Sequence, residues 1–150
     1  MVGDNGVGKS TLIDAASIAL GTLFQKIENA KALGITPDDA RGAVIKQGDM
    51  FDVQSRYPVT IGADGIVLGE NVHWSRSLNT AKGRTTIADA AAVVDAGARP
   101  QKLVRSGDTV VLPILARYRT DRLWTRTEPK DQSLPNRTRG YEGALQASSN

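Results

Sequence analysis

The sequence of 150 residues contains no cysteine and only one histidine, His73. The absence of cysteine excludes disulfide bridges, thiolate zinc sites and cysteine nucleophiles. Aromatic residues make up only 5% of the chain, and no apolar run approaches the roughly 18 residues that a membrane-spanning helix needs. The N-terminus also lacks a basic stretch followed by an apolar core. We therefore expect a cytoplasmic protein that does not contact a membrane.

The overall composition is that of a globular domain, with 40% hydrophobic and 23% charged residues. It excludes collagen-like and wholly disordered classes. Residues 1–116 hold 12 basic and 12 acidic side chains, whereas residues 117–150 hold 7 and 4. This asymmetry predicts a domain over 1–116 followed by a basic loop or linker over 117–150. An anionic partner near the C-terminus and a solvated arginine-rich tail are both compatible with it.

One stretch near the N-terminus carries most of the chemical information. Residues 3–10, GDNGVGKS, fit the phosphate-binding pattern G-x-x-x-x-G-K-[ST] at every fixed position. In such loops, backbone N–H groups and the positive end of a helix converge on phosphate, and glycine avoids side-chain collisions. Lys9 is predicted to contact the β- and γ-phosphates of ATP, and Ser10 to ligate Mg²⁺. The predicted nucleotide-binding residues are Asp4, Asn5, Gly6, Val7, Gly8, Lys9, Ser10 and Thr11, with Lys9 also predicted to be catalytic.

Hydrophobic periodicity predicts a helix directly after this loop. Apolar residues recur every three or four positions from Lys9, and Gly34 is expected to end the helix. The next stretch, ITPDDAR, predicts a short helical turn with Thr36 as its N-cap and Pro37 in its first position. The apolar face of the long helix is predicted to consist of Leu12, Ile13, Ala16, Ala19, Leu20, Leu23, Phe24 and Ile27.

The middle of the chain predicts a β-hairpin and a second helix. Two β-rich runs in RYPVTIGADGIVLGENVHWSRSL flank Asp64-Gly65, a pair that favours a tight turn. GRTTIADAAAVVDAGA then predicts a helix that begins with a capping box of Thr86 and Asp89 and ends at Gly97. Strand alternation places Val72, Trp74 and Leu78 on one face, opposite His73 and Ser75, and His73 is expected to be exposed without a chemical role.

The last strong apolar run indicates that a catalytic component is missing. Residues 110–115 predict a strand that is buried on both faces, although Pro113 removes one backbone donor. ATP hydrolysis needs a carboxylate at the end of another strand to hold Mg²⁺ through water. This run ends in Ala-Arg-Tyr, and Asp108 precedes it. The chain is therefore expected to supply half of a catalytic site.

The opening VGDNGVGKSTLIDA resembles the start of the ABC-type ATPase heads of the SMC and RecF-like group. Within that group, the chain is most similar to bacterial AAA-family ATPases described as predicted ATP-binding proteins involved in virulence, some of which act in phage defence. The stretches VHWSRSL, GRTTIADA and LPILARYRTDRLW support this resemblance, which covers most of residues 1–145.

The resemblance implies an α/β fold: the first lobe of a P-loop NTPase with an antiparallel β-layer, incomplete at both ends. A C-terminal lobe would supply the signature sequence, the carboxylate motif and a switch histidine. Two heads would then enclose two ATP molecules, so the implied cofactors are ATP and Mg²⁺. The implied partners are that missing lobe, a second head in a homodimer, and DNA or a defence effector.

Two features leave alternatives open. The resemblance implies small glycine-rich positions around residues 118–122, where this sequence has Arg119 and Asp121. It also implies a switch glutamine, for which Gln47 in VIKQGD is the candidate, with an ordinary surface-loop glutamine as the alternative. The rival functions are a nucleotide- or nucleic-acid-binding module without turnover and a P-loop kinase for small molecules.

The C-terminal part mixes cations with aromatic rings, as single-strand nucleic-acid binders do. Packing of this segment onto the domain through Leu123 and Trp124 is the alternative explanation. The residues in question are Arg117, Tyr118, Arg119, Arg122, Trp124, Arg126, Arg137, Arg139 and Tyr141.

Overall fold

A computed structural model describes residues 8–48 and 50–117 of the chain. The elements are helix α1 (Lys9–Gly21), strands β1 (Gly42–Gln47), β2 (Met50–Ser55), β3 (Val59–Val67) and β4 (Glu70–Leu78), and helix α2 (Ala91–Arg105). Short 3-10 turns cover Thr22–Phe24, Pro37–Asp39 and Ala88–Ala90. The chain divides into two compact units, one formed by residues up to Leu33 with those from Val93 onward, the other by Gly34–Ala92.

In the first unit, α1 ends at Gly21 and not at the predicted Gly34. The buried hydroxyl of Thr22 donates to the carbonyl of Ile18 (3.2 Å), and the chain tightens into the 3-10 turn after it. Side-chain bonds of this kind compete with helix continuation. The predicted apolar face is also only partly buried, because Leu12, Ile13 and Leu20 are exposed. The buried side chains lie toward the end of the helix and beyond it: Ile18, Ala19, Phe24 and Ile27.

Helix α2 continues past Gly97, where the sequence predicted its end, and runs through Pro100 to Arg105. It stops in a Schellman motif, in which Gly107 N–H donates to Val104 O (3.2 Å) and Asp108 N–H donates to Leu103 O (3.0 Å). Gly107 has the positive φ of 86° that this ending requires. None of the described helices has the length and apolar character needed to cross a membrane.

Polar contacts join the segment after α1 to α2 within the first unit. The Lys26 ammonium lies 2.7 Å from the Asp95 carboxylate, and Arg105 lies 2.5 Å from the Glu28 carboxylate. The buried side-chain oxygen of Gln101 accepts the backbone N–H of Glu28 (3.0 Å). These contacts hold the segment against α2 around the buried Phe24 and Ile27 cluster.

The second unit contains two antiparallel hairpins, which confirms the expected antiparallel β-structure. β1 pairs with β2 from Gly42 opposite Ser55, and β3 pairs with β4 from Val59 opposite Leu78. The β1–β2 hairpin was not predicted from the sequence. The predicted turn of the second hairpin was wrong, because Leu68 and Gly69 form it with φ values of 53° and 88°.

The predicted faces of β4 are confirmed. Trp74 and Leu78 are buried and Val72 is half-buried on one side, whereas His73 is exposed on the other. Asp64 lies within β3, opposite His73, and its carboxylate is 2.7 Å from His73 Nδ1. The capping turn at Thr36 is also confirmed, since Asp39 Oδ2 accepts the N–H of Thr36 (2.7 Å).

The predicted capping box of Thr86 and Asp89 was wrong. Thr86 Oγ1 instead accepts the N–H of Ser77 (3.0 Å), and Asp89 accepts the hydroxyl of Ser75 (3.4 Å). Both side chains are therefore used to hold the connection after β4 against that strand. The helical region begins later, with the 3-10 turn that leads into α2.

The predicted strand over residues 110–115 is not formed in the described part of the chain. Leu112 and Leu115 pack against the cluster of Phe24 and Ile27. Val111 and Ile114, in contrast, are 90% and 95% exposed. The described sheets contain only β1 to β4, so no described strand lies beside this segment to bury its outer side.

Candidate functional site

The described part of the phosphate-binding motif begins at Gly8, which caps the N-terminal end of α1. Its backbone is left-handed, with φ 82° and ψ 16°. An added Cβ at Gly8 would meet no atom within 4 Å. The backbone conformation by itself favours glycine here, since L-residues with side chains rarely adopt it.

Helix α1 starts immediately after this residue. The Gly8 carbonyl accepts the N–H of Leu12 (3.0 Å), and no side chain from residues 8–48 or 50–117 caps the helix. The first-turn N–H groups of a helix have no intrahelical acceptor and carry the positive end of the helix dipole. The first turn contains no acidic residue that would neutralise that end. The local field therefore favours an anion.

The structure places three of the predicted site residues together on the first turn of α1. Lys9 is half-buried and is the first helical residue, while Ser10 and Thr11 are exposed. The predicted residues Asp4, Asn5, Gly6 and Val7 lie outside the described residues. The described part of the motif is thus a left-handed glycine followed by the first turn of a helix.

Helix α1 is anchored by a contact between residues that are distant in the sequence. Asp14 forms an ion pair with the Nη2 of Arg117, whose side chain is only 10% exposed. Arg117 belongs to the group of cations for which nucleic-acid contact and packing onto the domain were both open, and its burial against Asp14 favours packing for this residue. The remaining residues of that group, from Tyr118 to Tyr141, lie outside the described residues.

The position of Arg117 also gives Asp14 a structural role. Asp14 is one turn beyond Ser10 on α1, and Arg117 follows the segment that packs on Phe24 and Ile27. Arg117 is the buried partner of this pair, and removing Asp14 would leave its charge uncompensated. The pair therefore fixes the start of α1 relative to residues 110–115. The only sequence signal was an acidic residue within an otherwise apolar stretch of the helix.

Two other predicted residues have defined places. Gln47, the candidate switch glutamine, is the last residue of β1. Asp108 follows α2 and accepts the hydroxyl of Ser106 (2.7 Å). This contact places Asp108 in the turn that ends α2.

Comparison with known proteins gives a family for the chain. The model of a family described as an AAA domain matches residues 1–149. No curated protein matches the chain. The family match covers nearly the whole sequence, including the phosphate-binding motif, both hairpins and both helices.

Proposed function

The chain belongs to the AAA domain family, a family of ATPase-type nucleotide-binding proteins, and we propose that it binds Mg²⁺·ATP through residues 3–11 as the first lobe of an SMC- or RecF-like ATPase head. The observation that carries this proposal is the left-handed Gly8 directly before Lys9 at the start of α1. A backbone of this shape followed by a helix start directs several N–H groups toward one point.

Charge supports a polyphosphate as the ligand. The helix dipole contributes roughly half a positive charge at its N-terminal end. Lys9 adds a full charge to the same turn, and no carboxylate lies in that turn. A triphosphate tail carries several negative charges within a few ångströms, so it gains more from this arrangement than a single carboxylate does. Lys9 is proposed to contact the terminal phosphates.

Ser10 fits the role of a Mg²⁺ ligand. Its side chain is exposed on the first turn and forms no hydrogen bond to any residue that the structure describes. No group of three or more His, Asp or Glu side chains in the described ranges is arranged to hold a metal. Magnesium is usually bound by one or two protein oxygens together with phosphates and water, which is the arrangement proposed here. When bound, the ion would neutralise phosphate charge.

Hydrolysis is proposed to require a second lobe and a partner head. The exposed Val111 and Ile114 support this, because they lie on a segment whose sequence is that of a strand buried on both faces. A neighbouring strand from the second lobe would cover them. The same lobe is proposed to bring the carboxylate motif, and the completed head is proposed to form a homodimer that acts on DNA or a defence effector.

The experiment that tests this proposal is equilibrium binding of Mg²⁺·ATP to the full chain, with Lys9→Ala and a matched control. Lys9→Ala should abolish detectable binding, whereas Lys82→Ala, which removes an exposed charge far along the sequence, should leave the affinity unchanged. ATP turnover by the 150-residue chain alone is expected to be undetectable. Equal affinity in the Lys9→Ala chain would overturn the proposal, and substantial turnover would contradict the need for a second lobe.

A further inference from the structure

Two arginines face each other at the open end of the β1–β2 hairpin. The N–H of Arg56 donates to the carbonyl of Arg41 (2.9 Å), one position beyond the pair of Gly42 and Ser55. Residues that lie opposite each other on antiparallel strands have Cβ atoms roughly 4.5–5.5 Å apart. The two cationic side chains therefore start from neighbouring points of the backbone.

No protein group neutralises this pair within the described ranges. Both side chains are exposed, and neither forms an ion pair or a hydrogen bond with a residue that the structure describes. Like charges directly opposite each other on adjacent strands are destabilising. An anion held between the two guanidinium groups would convert this repulsion into two attractions.

The arginines also border a hollow that can hold such an anion. Its volume is about 530 Å³, and it is lined by Arg41, Gly42, Ala43, Val44 and Arg56. This volume is within the range of small-molecule sites, roughly 300–1,000 Å³. The lining between the arginines consists of one small apolar stretch of β1, which offers no carboxylate to compete for them.

We propose that this hollow binds a phosphate-type oxyanion, with Arg41 and Arg56 each donating N–H groups to its oxygens. The planar guanidinium presents parallel N–H donors that match the oxygens of phosphate, and charge-assisted bonds of this type are about twice as strong as neutral ones. The ligand is either a phosphodiester of a nucleic acid strand or a free phosphorylated solute. The site lies within Gly34–Ala92 and goes beyond the proposed nucleotide site.

The test uses the full chain carrying Lys9→Ala, so that the phosphate-binding loop does not contribute. The Nε–H resonances of Arg41 and Arg56 are followed by NMR during separate titrations with inorganic phosphate and with an oligothymidylate. Both resonances are expected to shift along one saturating curve. Shifts with inorganic phosphate support the site with a free phosphorylated solute as its ligand, and shifts with the oligonucleotide alone support the site with a phosphodiester as its ligand.

Variants distinguish specific binding in the hollow from nonspecific attraction by positive charge. Arg41→Gln with Arg56→Gln should weaken binding of the effective probe by about tenfold or more, since both charged donors are lost. Lys46→Gln with Lys82→Gln removes the same charge outside the hollow and should change the affinity less than about twofold. Arg41→Lys with Arg56→Lys keeps the charge and should bind with intermediate affinity.

The proposal is overturned if neither probe shifts the two arginine resonances, or if the lysine double variant loses as much affinity as the arginine double variant. The result is independent of the nucleotide proposal. Loss of ATP binding in the Lys9→Ala chain concerns residues 3–11 alone, whereas the arginine resonances report on the hollow alone.

Discussion

Gly97 of helix α2 lies directly against the backbone carbonyl of Leu23. A Cβ added to Gly97 would overlap the Leu23 oxygen, and it would lie only 3.0 Å from Leu23 Cα. The obstruction is backbone, so it cannot be relieved by rotating a side chain. The absence of a side chain at Gly97 is what allows α2 to pack closely on the segment that follows α1.

Gly97→Ala is therefore expected to destabilise the chain, although glycine to alanine inside a helix ordinarily stabilises by about 1 kcal/mol. Forced separation of the two backbones should cost about 1–3 kcal/mol, as in overpacked cores. Urea denaturation measures the difference. Gly62→Ala is the matched control, because a Cβ there meets nothing within 4 Å and should be neutral or slightly stabilising. A Gly97→Ala chain as stable as the wild type would show that the close contact is not needed.

Thr85 makes two hydrogen bonds to one residue within the second unit. Its Oγ1 accepts the N–H of Ile35 (2.8 Å) and donates to the carbonyl of Ile35 (3.2 Å). Thr85→Val keeps the shape but leaves both backbone groups of the buried Ile35 without this partner, at an expected cost of about 1–3 kcal/mol. The change is measured by chemical denaturation.

The control for Thr85 is Thr60→Val. Thr60 also forms a side-chain hydrogen bond, to Ser77 (2.9 Å), but it is exposed on β3. Its loss is expected to cost less than about 0.5 kcal/mol, as for most surface substitutions. Equal losses at Thr85 and Thr60 would mean that the bonds to Ile35 do not contribute to stability.

Asp95 makes the stability dependent on pH. The hydrogen bond from Lys26 and the charge of Lys26 lower the pKa of Asp95, with smaller help from Lys102 and Arg99. A folded-state pKa below the unfolded value gives stabilisation that is present above about pH 3.9 and is lost as the pH falls through the lowered pKa. Lys26→Gln should raise the pKa of the Asp95 carboxyl toward its usual range, as measured by carboxyl NMR titration.

The matched control for this effect is Lys31→Gln, which removes an exposed lysine that is close to Lys26 in the sequence. It should leave the Asp95 titration nearly unchanged. The stability difference between wild type and Lys26→Gln should also narrow at low pH, where Asp95 is protonated in both. A difference that persists in acid would assign the effect to packing of the lysine stem instead of the ion pair.

The sequence predicted those features that depend on neighbours a few residues away. The capping turn at Thr36 and the start of α1 at Lys9 are set by local hydrogen bonding and backbone preference. The face of β4 that carries Trp74 and Leu78 follows from strand alternation alone. The predicted site residues Lys9, Ser10 and Thr11 share the first turn of α1 for the same reason, because they are consecutive.

Glycines with distant contacts could not be assigned from the sequence. Asp64-Gly65 has the composition of a hairpin turn, but Gly65 lies within β3, where an added Cβ would be 3.4 Å from the Trp74 ring. That distance is an ordinary van der Waals contact, and the turn is formed by Leu68 and Gly69 instead. Gly97 was predicted to end α2, but it lies inside the helix and contacts Leu23, which is more than 70 residues away in the chain.

Whether residues 110–115 form a strand depends on neighbouring segments that the sequence pattern does not identify. Leu112 and Leu115 are half-buried and pack against Phe24 and Ile27, so one side of the segment is covered. Strand formation also requires a hydrogen-bonding neighbour at an edge, which the composition of the segment cannot specify. The ion pair of Asp14 with Arg117 was not predicted either, because it joins residues 103 positions apart.

The most direct test of polyphosphate binding at the start of α1 is to follow the backbone amide resonances of the full chain during titration with Mg²⁺·ATP. We predict that Gly8, Ser10 and Thr11 show the largest shifts, with saturation, and that Lys9→Ala removes them. Shifts that are absent from these amides, or that persist unchanged in the Lys9→Ala chain, would contradict the account.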